Sequence, residues 1–351
     1  MKINNSLIIR VLIVLSGVFL SSCSSMLYTT IDVLRPAKVS FPEDIDNLLI
    51  VNNTVAQPST YGHKTESFNA KPKSVTIDTD SLVYFALASF SESVSEREFF
   101  NSVDVIYESQ NESNDFYSVA LPSSGKLSSL SKQYGANAIV SLNRMIVNST
   151  LGEFYNEEEA SFIAYIEAQY EYNWTISFPE KNHIFSLVTK DTVYWEIENY
   201  SRNNALKSLP DRKIALIDGA IISGRKAVNQ FIPYWEREDR YFFNLSDKTF
   251  KTGLDSIYVK NWESAITKWE TLIKSNTGPN KKAKLLHNLS VLYEITGDIK
   301  KAYEYSNASL ETMLESLLFN YNEYLLISEQ NEVLQKRLKD VDLLKKQLGE
   351  N

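Results

Sequence analysis

The chain of 351 residues contains one cysteine, at position 23, and that count limits what it can fold into more than any other feature. A single cysteine cannot close an internal disulfide, and it cannot build a cysteine-cluster metal site. Whatever follows residue 23 must therefore be held together by buried apolar surface. Composition allows this: 43% of residues are hydrophobic and 12% aromatic, the balance of a globular and not a disordered chain. The length allows roughly two domains of about 150 residues each. The formal charge is −8, and residues 1–22 hold Lys2 and Arg10 and no acid, so the remainder carries −8 − 2 = −10. Such a body repels nucleic acid and has no electrostatic reason to lie flat on anionic lipid, so no nucleic-acid partner is expected.

Lys2 and Arg10 flank a short polar start, and Val11 to Leu20 is an apolar run interrupted by Ser16 and Gly17. A positive start, a short apolar stretch and then small residues form the secretory pattern, and the run is too short to cross a bilayer, which needs about 20 residues. Leu20-Ser21-Ser22-Cys23 follows and resembles the lipobox of bacterial lipoproteins. The resemblance implies diacylglyceryl transfer to Cys23 and cleavage before it, with residues 1–22 as signal peptide. Ser24-Ser25-Met26-Leu27-Tyr28 lacks the aspartate that retains some lipoproteins at the inner membrane, and lacks an acidic tract linked to surface export. By that resemblance the address is the outer membrane, lipid-anchored and facing the periplasm.

Residues 23–40 read as a tether closing with Arg35-Pro36 and Phe41-Pro42. Asn47 to Asn53 reads as a buried strand, and the Pro-, Ser-, Thr- and Gly-rich stretch to Ser74 as a long loop. Asp80-Ser81 signals a helix start, with Leu82, Val83, Ala86, Leu87, Phe90 and Val94 at helical spacing. Strands are expected at Val103–Tyr107 and Ala138–Val147, with a short helix between them ending at Gly135. Two aromatic, β-prone segments at 160–178 and 183–199, joined around Pro179-Glu180-Lys181-Asn182, predict a long antiparallel hairpin. Ile214, Ile217, Ile221 and Val228 then mark a helix with Asp211 near its start. The order predicts an α+β chain whose first domain, 41–240, is an α/β sandwich. It looks distantly like the periplasmic α/β domains of assembly lipoproteins, such as curli-secretion and TolB N-terminal domains, a fold-level analogy without a specific motif.

Residues 285–311 carry Leu289, Tyr293, Gly297 and Ala302 at spacings that resemble a tetratricopeptide repeat. Gly297-Asp298 breaks the chain between two helices, and Ala302 is small enough to let them approach. One repeat earlier Gly253, Ala265 and Trp269 hold the small, small and aromatic positions, with Asn261-Trp262 at the turn. The second domain is thus expected to be all-α, with tetratricopeptide-like repeats over 245–315 and a capping helix over 316–351 that has imperfect coiled-coil spacing. In that family the first helix of each pair lines a concave face, here Phe250, Leu254, Ile257 and Tyr258, then Lys284, His287, Val291 and Glu294. That face would bind a partner peptide or helix, unless the α/β domain or the C-terminal helix already covers it.

No other constellation carries chemistry. His63, His183 and His287 have no second ligand at metal spacing, Asp78-x-Asp80 does not continue as a calcium loop, and Gly125-Lys126 lacks the upstream glycine of a phosphate loop. Neither cofactor, metal nor catalysis is expected. As a whole the chain resembles an uncharacterised class of bacterial lipoproteins pairing an α/β domain with tetratricopeptide-like repeats. The expectation is an envelope protein that docks another envelope protein, with a subunit of a ring or secretion assembly as the alternative and an envelope hydrolase as the second. Its oligomeric state is open.

Overall fold

A computed structural model describes residues 26–113, 115–181, 183–245, 248–275, 278–316 and 320–349. The segment read as a signal peptide and Cys23 lie outside them. The described residues form two compact units, one of 36–234 with 347–349, the other of 26–35 with 235–346. As expected, the architecture is mixed: a sheet-rich α/β part, then helices. The segment read as a tether is instead largely strand β1 (Met26–Arg35), and it belongs to the second unit. Tyr, Thr, Ile and Val favour a strand there, but its partner lies some two hundred residues away, beyond any local signal.

In the α/β unit, β2 (Asn47–Asn52) is central, and five of its six residues are buried, as a parallel strand covered on both faces requires. It pairs in parallel with β5 (Ser102–Ile106) and with the first part of β6 (Ala138–Asn156). The later part of β6 pairs with β3 (His63–Glu66), which with β4 (Lys73–Ser74) lies inside the stretch expected to be a loop. β6 turns back into β7 (Ser161–Phe178), and β7 into β8 (His183–Asn199), so the predicted hairpin is the last part of a three-stranded meander.

Helices cover both faces of β2. Leu48 and Ile50 share a core with α1 (Leu82–Glu96), while Leu49 and Val51 pack with Leu127 and Leu130 of α2 (Ser124–Tyr134). The short α3 (Arg202–Ser208) and then α4 (Arg212–Ala227) follow β8. Asp211 caps α4 by accepting from the amides of Lys213 and Ile214. Of the residues read as the apolar face of α4, Val228 is buried just beyond the helix and Ile217 packs against the core, while Ile214 is exposed. The buried residues of the helix are Ala215, Leu216, Gly219, Ala220, Ser223, Gly224 and Ala227, mostly small. The reason is close approach. A Cβ on Gly219 would stand 2.2 Å from the Tyr170 hydroxyl, and one on Gly224 2.4 Å from the Ala86 carbonyl.

The second unit is not purely helical, because β1 pairs with β9 (Tyr234–Phe243) in a two-stranded ribbon. Two antiparallel helix pairs follow: α5 (Lys248–Tyr258) with α6 (Trp262–Ile273), and α7 (Pro279–Ile295) with α8 (Ile299–Leu314). The long α9 (Tyr321–Leu348) ends the chain. Asn261 and Asp298 cap α6 and α8, and Gly297 turns the chain at φ +87°. A Cβ on Gly253 would fall 2.1 Å from Trp269 Nε1, so α5 can approach α6 only through a bare backbone. Ala265, Leu289 and Ala302 are fully buried. Tyr293 stacks on Tyr305 at 5.3 Å, and both hydroxyls donate to Glu270, at 2.7 and 2.8 Å.

Candidate functional site

Of the eight residues expected on an open concave face, Tyr258 alone is freely exposed, at 65%. Phe250 is buried and stacks on Trp269 at 5.1 Å, and Leu254, Ile257 and Val291 join the same core. His287 is fully buried against the Tyr241 ring, with Nε2 3.1 Å from the Tyr241 carbonyl. Burial pulls its pKa down to about 4, against the opposing carbonyl and Glu294, so it is neutral at pH 7. Lys284 is held by Glu323 of α9 at 2.7 Å.

Glu294 closes the face. Its carboxylate has no solvent exposure and accepts from Arg240 Nε and Nη2, both at 2.8 Å, from Gln330 Nε2 at 2.8 Å, and from Arg337. Burial pushes its pKa up, but the two guanidinium groups outweigh it and hold the carboxyl below the usual range. Arg240 comes from the ribbon, Gln330 and Arg337 from α9. The open groove is therefore corrected: the unit's own ribbon and last helix occupy it.

A second polar cluster lies in the α/β unit. His63 Nδ1 is 2.8 Å from Ser149 Oγ, which also accepts from Arg212 Nη2 at 2.9 Å. Gln57 clamps the Val147 backbone with both ends of its amide. Burial and the neighbouring Arg212 charge lower the His63 pKa to about 4. The pair forms no nucleophile, since Ser149 is buried, its oxygen is spent on the guanidinium, and no carboxylate orients the imidazole. Beside it opens a polar hollow of about 410 Å³ lined by Gly62, His63, Lys64, Asn148, Glu167 and Gln169.

The most open feature is an edge. β8 is paired with β7 over its whole length, from Phe178 opposite His183 to Phe162 opposite Asn199. Among the described residues it has no strand on its other side. At about 3.4 Å per residue that edge runs for more than 50 Å. Phe185, Leu187, Val193 and Trp195 face the core, while Ile184, Val188, Lys190, Tyr194 and Glu196 face solvent. A cleft of about 600 Å³ runs beside its middle, lined by Thr189 and Asp191 of β8, Ser223 and Lys226 of α4, and Lys38 and Gln230. Lys226 holds Asp191 at 3.1 Å. The sequence showed the hairpin but not its free side, because an edge is defined by which strand is missing.

Comparison with known proteins adds a family. The model described as Domain of unknown function (DUF8603) matches residues 45–243, more than half of the chain, and the chain belongs to that family. Residues 251–336 match a second, Domain of unknown function (DUF6340). No curated protein matches. Among solved structures, the chain is similar to a Helicobacter pylori protein described as a neuraminyllactose-binding hemagglutinin homolog: 9% identity, 54% of this chain and 84% of that one, TM-score 0.25. It is also similar to an uncharacterized protein at 11% identity, 54% of this chain and 94% of that one, TM-score 0.21. Likenesses of that size carry no argument.

Proposed function

We propose that this member of the DUF8603 family is a lipid-anchored envelope protein that works by protein–protein assembly, not by chemistry, and that β8 is its assembling element. The observation that carries the reading is the free edge of β8, continuous from His183 to Asn199. A long, regular, partly apolar edge templates strand addition; β8 has no proline to interrupt it, and its charges, Lys190 and Glu196 outside and Asp191 inside against Lys226, restrict it to a partner that matches them. The occupant is a second copy. Two antiparallel β8 strands with Val193 opposite Val193 place Lys190 opposite Glu196 in both halves, on the solvent face, where Lys190 also holds Glu171 of β7 at 2.7 Å. Docking through the repeat groove is not favoured, because Phe250, Ile257, Val291 and Glu294 are spent on the unit's own core.

The test is a charge exchange in the acylated chain, solubilised in mild detergent and weighed by light scattering. Wild type should run at twice the chain mass. Lys190→Glu and Glu196→Lys should each loosen the dimer, since cross-strand ion pairs are worth about 0.2–1 kcal/mol each and like charges cost as much. The double exchange should restore it. A monomeric wild type, or a double exchange that restores nothing, sinks the pairing.

A further inference from the structure

We propose that the end of the helical unit carrying Met26 rests on the membrane surface, with Leu314, Tyr321 and Leu325 seated at the lipid interface. The inference rests on acylation of Cys23, proposed above, and on how close β1 stands to it in sequence. Three peptide units separate Cys23 from Met26, and an extended chain spans at most about 3.3–3.6 Å per residue. Met26 thus stays within about 10 Å of the acylated residue, and no long tether exists to hold the unit away.

What surrounds Met26 suits that place. It packs against a cluster of Phe243, Ala283, Met313 and Ile327, with Leu310 and Tyr324 at its margin. Around this cluster large apolar and aromatic side chains stand exposed among polar ones: Leu314 follows Met313 and is 57% exposed, Tyr321 is 63% exposed and stacks on Tyr324 at 6.3 Å, and Glu315, Asn320 and Asn322 are exposed beside them. Leu325 and Tyr28 are exposed as well, the Tyr28 ring 6.4 Å from that of Tyr241. Tyrosines with one wet and one dry end fit a headgroup layer. Lys248, Lys281 and Lys282 lie in the first turns of α5 and α7, which start at this end, and Glu315 opposes them. The net acidity of the chain gives no general attraction to anionic lipid, so the seat is an apolar one.

Acylation would consume the single natural thiol, so an engineered cysteine is the unique label site. Leu314→Cys and Tyr321→Cys, labelled with an environment-sensitive fluorophore, are reconstituted into vesicles of phosphatidylethanolamine and phosphatidylglycerol. Tyr258→Cys is the reference, at the far end of α5 and about 15 Å along its axis from Lys248. The expected result is a blue shift and quenching by nitroxide lipid at 314 and 321, with neither at 258. Mass spectrometry of the N-terminal peptide runs beside it. Labels reporting water at 314 and 321 on an acylated chain overturn the seating alone. A peptide without acyl groups overturns the anchoring, and the seating with it.

Discussion

Glu294→Gln should be the most damaging conservative change in the helical unit. Its carboxylate accepts from two arginines and one glutamine, and its side chain has no solvent exposure. The amide keeps one acceptor oxygen but turns an NH2 toward a guanidinium, leaving two buried cations without their shared counter-charge. Removing one partner of a buried ion pair costs about 3–5 kcal/mol. Arg240 keeps Glu238 at 2.6 Å, and Arg337, at 13% exposure, can swing toward water, which places the loss near the lower end, about 3 kcal/mol. Urea unfolding followed by far-UV dichroism reads this, and hydrogen exchange should show the amides of α9 opening first. Replacing the set together, Glu294→Leu with Arg240→Met, Gln330→Met and Arg337→Leu, should recover most of the loss, because an apolar set of similar volume carries no desolvation penalty. A Glu294→Gln protein within about 1 kcal/mol of wild type would refute the reasoning, since it would mean the carboxylate is solvated and α9 does not close the face.

Stability should fall between pH 6.5 and about 4, because His63 and His287 are neutral in the fold, with pKa values near 4, and charge readily once unfolded. Folded pKa values below the unfolded ones mean full stability above pH 6.5 and loss as protons bind the unfolded chain, up to about 3 kcal/mol per histidine. His63→Gln should flatten its share in thermal melts taken across that window. Phe250→Ala should cost about 3–5 kcal/mol, as a core aromatic does, while Tyr258→Ala should fall within about 0.5 kcal/mol of wild type. Equal effects at the two positions in urea melts would restore the open-groove reading. Gly253→Ala should cost about 1–3 kcal/mol through its clash with Trp269, read by the same melts and by a changed tryptophan emission.

Much of the fold was legible where the signal is local. NLLIVNN reads as a buried strand because a parallel strand covered on both faces is apolar at every position. The turn at Gly297-Asp298 and the cap at Asp211 read directly, since caps and left-handed turns depend on a few adjacent residues. What escaped is non-local. β1 finds β9 across the length of the chain, and β3 and β4 sit in a polar stretch whose strand character comes from pairing, β3 with β6 and β4 with β3. The apolar face of α4 was legible in part: Ile217 and Val228 meet the core, but Ile214 does not, because the close approach of α1 and of Tyr170 is made through glycine and alanine.

The filled groove follows from the same arithmetic that made the repeats readable. Two helix pairs are too few to bury a continuous core, because each pair relies on neighbours that are missing on one side. Phe250, Leu254, Ile257 and Val291 sit where a longer array would present a binding surface, and here that apolar face needs cover from within the chain. The ribbon supplies Phe242 to the same core and Tyr241 to His287, while α9 supplies Ile327 beside Met313. Polar residues on the face are matched one by one, Lys284 by Glu323 and Glu294 by Arg240 and Arg337. Such pairing fixes the register of α9 more firmly than apolar contact alone, since a slip of one turn would take Gln330 and Arg337 away from the buried Glu294 carboxylate and leave it to Arg240 alone. Family positions thus mark where the surface lies, but with two pairs they mark the seat of the chain's own ribbon and last helix.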